Sequence, residues 1–462
     1  MTNTIMLRQL LQLLLVATLA ISSLAAPSSL YPRSDGAKVR GVNLGGWFIL
    51  ERWMTPSLFP QSLVNRGAAD QWTWMTAIAN DTKAAQMLKT HWSTFITEQD
   101  FIDIAAAGLN TVRIPVPHWA FDAVAWEPYL GYAEQPYIAQ ALLWAQKHSI
   151  DVILDLHTAP GSQNGYDSSG EQGTIGFATA PNATQNAQRT ISALTKMQDL
   201  YVTNTSFGGV VKMLEVLNEP LCANIGQSYV ASFYQSAYQA LNASVAMGVK
   251  VLMHDCFADL QTWESKLADA TVWKAETFAM DTHRYHAYAP INQKSYDDHI
   301  DYTCTDEFTS SYSFDALVGE FSLSVGCKNS ISPADGSCSR NNMNSSVYEL
   351  SREKDNLFYR RFFEAQTTTY ELHTLGWVFW SWKTEASPTW SYQAALAQGW
   401  IPSTDPSEKV FEQKKNCPTK KQLSSVAFAT TNTSGSSRTL PDVVAAPAIV
   451  VSALAVSVLC IF

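Results

Sequence analysis

The chain has 462 residues, of which 46% are hydrophobic, enough for the core of one large domain or of two or three ordinary ones. Its net charge of -10, with no basic run to offset phosphate, argues against nucleic acid as a partner. Fifteen Trp and 18 Tyr supply rings that either pack a core or stack on sugar faces, and the count alone does not choose between them.

Residues 1–26 read as a secretory signal peptide: a single Arg, an apolar run from Leu10 to Ala20, then Ser23-Leu24-Ala25 as a small-residue cleavage site. After a short polar leader, Gly41-Val42-Asn43-Leu44-Gly45-Gly46-Trp47 suits a first strand, with paired glycines that let the backbone turn close to something at its exit. A helix follows from Thr97, where Thr97-Glu98-Gln99-Asp100 has the form of a capping box and Gly108 ends the run. Asn110 to Pro115 is strand two, with Arg113 near its end. Pro136 to His148 is helical, with Ile138, Leu142 and Ala145 on one stripe. Asp151 to His157 is strand three, and its exit loop, from Thr158 to Asp167, is dense in turn formers.

Strand four, Val211 to Leu217, is a buried-strand pattern that stops in Asn218-Glu219-Pro220. Val249 to Met253, Thr277 to His283, Ala316 to Glu320 and Gly376 to Trp380 complete eight strand candidates. Alternating with helical stretches, they match the count of a single TIM (β/α)8 barrel, an α/β fold whose chemistry sits at the carboxyl ends of its strands. Glu219 and Glu320 close two such strands 101 residues apart. At roughly 30 residues per βα unit that is about three units, which places them nearly opposite across the barrel mouth. Two glutamates so placed can flank one glycosidic bond, as proton donor and nucleophile.

The tail from 418 to 437 is rich in Ser, Thr and Lys without periodicity and reads as a stalk. Residues 438–462 contain an uncharged run from Val443 to the end, long enough to span a bilayer. Small residues upstream, with Ser434 or Gly435 as attachment points, favour a glycolipid-anchor signal over a transmembrane helix. Six cysteines remain between the ends: Cys222, Cys256, Cys304, Cys327, Cys338 and Cys417, which allow 15 full pairings. Cys327 with Cys338 is the most local closure, and Cys304 with Cys417 would tie the tail to the barrel. No C-x-x-C spacing suggests zinc or redox chemistry. Asn80, Asn182, Asn204, Asn242, Asn344 and Asn432 each head an Asn-x-Ser/Thr acceptor.

Several of these runs carry a resemblance. Gly41 to Trp47, Thr55-Pro56-Ser57-Leu58-Phe59, Asp155-Leu156-His157 with Ala159 to Gly165, Asn218-Glu219-Pro220, Gly319-Glu320 and Phe379 to Glu385 are together similar to the fungal exo-β-1,3-glucanases of glycoside hydrolase family five. The likeness runs from about Val39 to Cys417, so the domain is set at 27–417. It implies Glu219 as acid/base and Glu320 as nucleophile, with Asn218 on the sugar 2-hydroxyl. Arg113 and Tyr285 would orient Glu320 and keep it ionised, because an opposite charge and a donor both lower a carboxyl pKa. His157 and His283 would contact sugar or carboxylates, Trp380 would floor the first subsite, and Glu51 would grip the terminal glucose. Tyr166, Phe257 and Tyr288 fall where the family has an aromatic entrance.

Residue by residue, plainer readings exist: Arg113 paired with any structural acid, Trp380 as core, Glu51 as a solvated acid, and His283 with His286 as part of a metal site. The chain also departs from the family. Arg52 stands where Pro is usual, Thr158 replaces a small residue, Cys222 stands where Gly is usual, and His254-Asp255-Cys256-Phe257 alters the strand-five exit. Tyr166 and Tyr288 replace the commoner Phe.

The expectation that the resemblance implies is a secreted, glycosylated, surface-anchored monomer that removes glucose from the non-reducing end of cell-wall β-1,3-glucan with retention and without metal or cofactor. Rival readings are a β-1,6-glucanase, a glucosylceramide or steryl glucosidase or an endo-β-1,4-glucanase on the same barrel, and a non-catalytic wall-binding protein.

Overall fold

The computed structural model describes residues 37–402 except 79–82, 289, 306–307, 309–311 and 326–352. The signal peptide, stalk and anchor segments lie outside the described residues, as do Cys327, Cys338, Cys417, Asn80, Asn344 and Asn432.

Eight parallel strands close into a barrel in sequence order. They are β1 (Val39–Asn43), β2 (Thr111–Val116), β3 (Asp151–Leu156), β4 (Val211–Glu215), β5 (Lys250–His254), β6 (Phe278–Arg284), β7 (Ala316–Phe321) and β8 (Gly376–Phe379). All eight expected strands form. The helix expected from Thr97 runs Glu98–Ala106, with the Thr97 amide donating to Asp100 Oδ2 at 2.7 Å. Asp100 also accepts from Trp382 Nε1 and Lys383 Nζ, so this capping residue fastens the β8 exit as well. The helix expected at 136–148 runs Gln135–Lys147 and buries Ile138, Leu142 and Ala145.

Strand side chains alternate between two faces, and here the two faces have different chemistry. Val152, Leu154, Val251, Met253, Val318 and Phe379 join the large core between the strands and the surrounding helices. Ile153, Met213, Leu252, Ala279, Leu317 and Val378 form a separate apolar layer inside the barrel. Two residues further along the same strands the inward positions become Asp155, Glu215, His254, Asp281, Gly319 and Trp380. The apolar layer is the barrel's floor, and the layer above it is the base of a polar site.

Cys222 and Cys256, at the exits of adjacent strands β4 and β5, are joined by a disulfide with their Cα atoms 5.3 Å apart. Cys304 is disulfide-bonded too. Asn182, Asn204 and Asn242 are exposed. Among the described residues no helix is long and apolar enough to cross a membrane.

Candidate active site

Arg113, fully buried on β2, is the hub of the barrel mouth. Its Nε donates to Glu215 Oε2 at 2.7 Å, Nη1 to Asn43 Oδ1 at 2.9 Å and to Glu320 Oε1 at 2.8 Å, and Nη2 to Asn218 Oδ1 at 2.8 Å. Asp155 Oδ2 lies 3.1 Å from Nη2. A rigid planar fork can satisfy so many oxygens at once, and a lysine ammonium cannot. Arg113 is therefore not paired with an incidental acid: it ties β1, β3, β4 and β7 together around the two sequence-identified glutamates.

Glu320 also accepts from the Tyr285 hydroxyl at 2.7 Å. A register irregularity between β6 and β7 pairs His283 with Glu320, and His283 Nδ1 lies 2.7 Å from Glu219 Oε1 and 3.4 Å from Glu320 Oε2. One imidazole nitrogen thus touches both carboxylates. Gly319 makes room for this arrangement, since a Cβ there would stand 2.0 Å from Asp281 Oδ2. Its amide instead donates to Asp281 Oδ1 at 2.7 Å. Glu219 itself has φ 46°, a left-handed backbone that side-chain-bearing residues rarely adopt. Asn164 Nδ2 holds that turn by donating to the Glu219 carbonyl at 3.1 Å. Residues kept in such conformations by their surroundings cluster at functional sites.

Electrostatics link the cluster. Burial opposes a charge on His283, but Glu320, Asp281 and Glu219 together outweigh it and hold the ring well above its ordinary pKa. The imidazolium therefore donates from Nδ1 to Glu219. Burial drives Glu215 well above the usual carboxyl range even with Arg113 pulling down. Glu320 corrects the sequence-based expectation: burial raises its pKa, and the charges of His283 and Arg113 only partly offset this. The donors that were expected to lower it are present, but desolvation is the larger effect. Burial, and after it the Glu320 charge, raises Tyr285 well above a normal phenol, so it remains a donor.

The walls of the site come from the strand exits. His157 Nδ1 bonds Asp155 Oδ2 at 2.5 Å, and its Nε2 faces the Asn218 amide nitrogen at 3.3 Å, so Asp155 and Arg113 between them fix both side chains. Trp380 lies nearly parallel to His157 with centroids 5.6 Å apart, and a Cβ on Gly45 would sit 2.6 Å from its ring. The paired glycines of the first strand exit thus admit the indole. Glu51 is 3% exposed and accepts from Trp53 Nε1 at 2.8 Å, which excludes a solvated acid. Trp53, Trp380 and Trp390 form an aromatic cluster of their own, with Tyr285 and Tyr288 packed against it.

Tyr166 and Phe257 are exposed on the β3 and β5 exits, whereas Tyr288 stands edge-on to Tyr285 at 6.0 Å. His286 is turned away from the site, its Nδ1 2.9 Å from His299 Nδ1, so it cannot share a metal with His283. Among the described residues two trios, Glu219 with His254 and His283, and Glu215 with Asp281 and His283, place donor atoms within 4.8 Å of one another. Both share His283, which the surrounding acids favour in its protonated form, so an ion at either trio would have to displace that proton.

Sequence reasoning missed Asn43, Glu215, Asp281, His254, Trp53 and Trp390. A signal existed for Glu215 and Asp281, as for Asp155: each is a carboxylate directly after an apolar run within its strand, Met213-Leu214, Phe278 to Met280 and Val152 to Leu154.

Facing carboxylates at the mouth of a closed (β/α)8 barrel are the arrangement that glycoside hydrolases use. Residues 76–386 match the family model described as Cellulase (glycosyl hydrolase family 5), and the chain belongs to that family. It is 35% identical over 436 residues to a glucan 1,3-beta-glucosidase of Blumeria graminis, covering 87% of this chain and 96% of that protein. It is 36% identical over 406 residues to a probable glucan 1,3-beta-glucosidase A of Emericella nidulans, covering 84% and 95%. Among solved structures, rutinosidase from Aspergillus niger superposes with a TM-score of 0.65 at 19% identity, over 80% of this chain and 99% of that one, a likeness of fold.

Proposed function

We propose that this enzyme releases glucose from the non-reducing end of β-1,3-glucan with retention of configuration. The observation that carries the mechanism is the shared contact with His283 Nδ1, 2.7 Å from Glu219 and 3.4 Å from Glu320. These distances bring one oxygen of each carboxylate within about 6 Å of the other, the close facing that a nucleophile and a proton donor need across one glycosidic bond.

Glu320 attacks the anomeric carbon while Glu219 gives its proton to the departing glycosidic oxygen, leaving a glucosyl ester on Glu320. Glu219 then takes a proton from water as that water displaces Glu320. Asn218, its oxygen held by Arg113, turns its amide nitrogen to the sugar 2-hydroxyl, where hydrogen bonds strengthen as the oxocarbenium ion develops. Trp380 floors the glucose site, and Glu51, buried beside Trp53, grips the terminal sugar and favours attack from the chain end. The 1,3 linkage follows from the names of the relatives.

The chain is read as the precursor of a secreted monomer, with a catalytic domain over 27–417, a stalk over 418–437 and a glycolipid-anchor signal over 438–462. The Cys222–Cys256 disulfide and the exposed acceptors Asn182, Asn204 and Asn242 support export. Release from cells by a phosphatidylinositol-specific phospholipase tests the anchor. Glu320→Gln tests the chemistry: turnover of laminarin-type glucan is expected to vanish with folding intact, and near-normal activity refutes the assignment.

A further inference from the structure

Two of the positions at which this chain departs from its family pattern, Cys222 and Cys256, are bonded to each other across the β4 and β5 exits. Cys222 comes three residues after Glu219. Cys256 immediately precedes Phe257, whose ring is 47% exposed at the rim. Cys256 and Phe257 have φ 64° and 58°, so three residues along this edge of the mouth, Glu219 included, hold left-handed backbone. Such conformations persist only where the surroundings over-determine them.

A closed circuit of contacts runs through the bond. The Cys256 amide donates to His254 Nδ1 at 2.9 Å, the His254 ring stands edge-on to His283 with centroids 4.3 Å apart, and His283 Nδ1 donates to Glu219 Oε1 at 2.7 Å. From Glu219 the backbone leads through Pro220 and Leu221 back to Cys222. On its other side the same turn is held by the β3 exit loop: Asn164 Nδ2 donates to the Glu219 carbonyl, and the Leu221 amide donates to the Gln163 carbonyl at 3.1 Å. The Glu219 turn is thus braced from both neighbouring strands, covalently on the β5 side.

We propose that the Cys222–Cys256 disulfide is a positioning element for proton transfer: it fixes the Glu219 carboxyl relative to the departing oxygen. It also seats Phe257 beside the path of the leaving sugar. The proposal rests on the reading of Glu219 as acid/base.

The test compares kcat/KM on two glucosides in a Cys222→Gly, Cys256→Ala double variant. A 2,4-dinitrophenyl glucoside has a leaving group that departs without a proton, whereas laminaribiose needs one. General acid catalysis contributes about 10²–10⁴-fold, and a misplaced acid forfeits part of that. The laminaribiose value is expected to fall at least tenfold further than the dinitrophenyl value. A difference of less than tenfold overturns the proposal, including a parallel loss on both substrates, which is what general loosening of the fold produces. Should the variant not fold, the wild-type enzyme, reduced and alkylated with Cys222 and Cys256 mapped by mass spectrometry, gives the same ratio. Glu219→Gln is the reference arm. If it lacks leaving-group dependence, the reading of Glu219 fails; if it shows it and the cysteine variant does not, only the disulfide proposal fails.

Discussion

Replacing Arg113 by Met keeps an unbranched stem and removes the guanidinium that Glu215, Glu320 and Asp155 share at 2.7, 2.8 and 3.1 Å. Removing one partner of a buried ion pair costs roughly 3–5 kcal/mol, because the other charge is left uncompensated. Three carboxylates lose the same partner here, but Glu215 and Glu320, already raised by burial, recover part of the cost by taking up protons, so about 4 kcal/mol is expected at neutral pH. In a domain of this size each kcal/mol moves Tm by about 2 °C, giving a drop of about 8 °C. The deficit should depend on pH. Burial already holds Glu215 above its ordinary value with Arg113 present, and removing the cation raises it further in the folded state alone. An acid whose folded pKa exceeds its unfolded one stabilises the fold below the unfolded value, and that stability is lost as pH rises through the folded value. The gap between wild type and variant should therefore widen as pH rises through the folded value of Glu215 in the wild type, and be smaller below it. Thermal melts on both sides of that value measure it. A deficit under about 1 kcal/mol, or one equal at every pH, refutes the account of Arg113 as the counter-ion of the cluster.

Trp380→Ala removes a buried indole packed over Gly45 and His157, so a stability loss of about 3–5 kcal/mol is expected together with a raised KM for glucan. An unchanged KM in folded variant would remove Trp380 from the glucose site. Glu51→Gln keeps an acceptor for Trp53 Nε1 but loses the charge, and about 1.5 kcal/mol of sugar binding should go with it, read as roughly a tenfold rise in KM for glucose release. Wild-type KM would show that Glu51 only supports Trp53. Away from the site, burial pushes Glu134 up to about 8; its Oε1 accepts from Trp119 Nε1, and its Oε2 has no partner among the described residues. Its folded pKa is the higher, so wild type loses stability as pH climbs from the ordinary carboxyl value to about 8. Glu134→Gln should gain about 2–5 kcal/mol over wild type across that interval, then level off, and a flat difference by denaturant unfolding contradicts this.

The strands were legible because each is an apolar run ended by turn chemistry, and eight in alternation with helices admit few closures. Glu219 and Glu320 were legible because a carboxylate that ends a buried strand has few structural reasons to be there. The capping box at Thr97 and the glycine pair at Gly45 and Gly46 were readable for the same local reason: their physics is contained within a few residues. Asp155, Glu215 and Asp281 were harder, since a strand buried on both faces does not reveal which face points into the barrel.

What the residues alone determined is the barrel, its two terminal glutamates and the family pattern around them, all of which depend on short-range periodicity and strand ends. Closure of the barrel decided the rest. It brought Arg113 within reach of carboxylates on β3, β4 and β7, turned His286 away while setting His283 between the two glutamates, and joined Cys222 to Cys256. It also reversed the expected shift of Glu320, because the degree of desolvation is a property of the enclosing structure and not of the neighbours named along the chain.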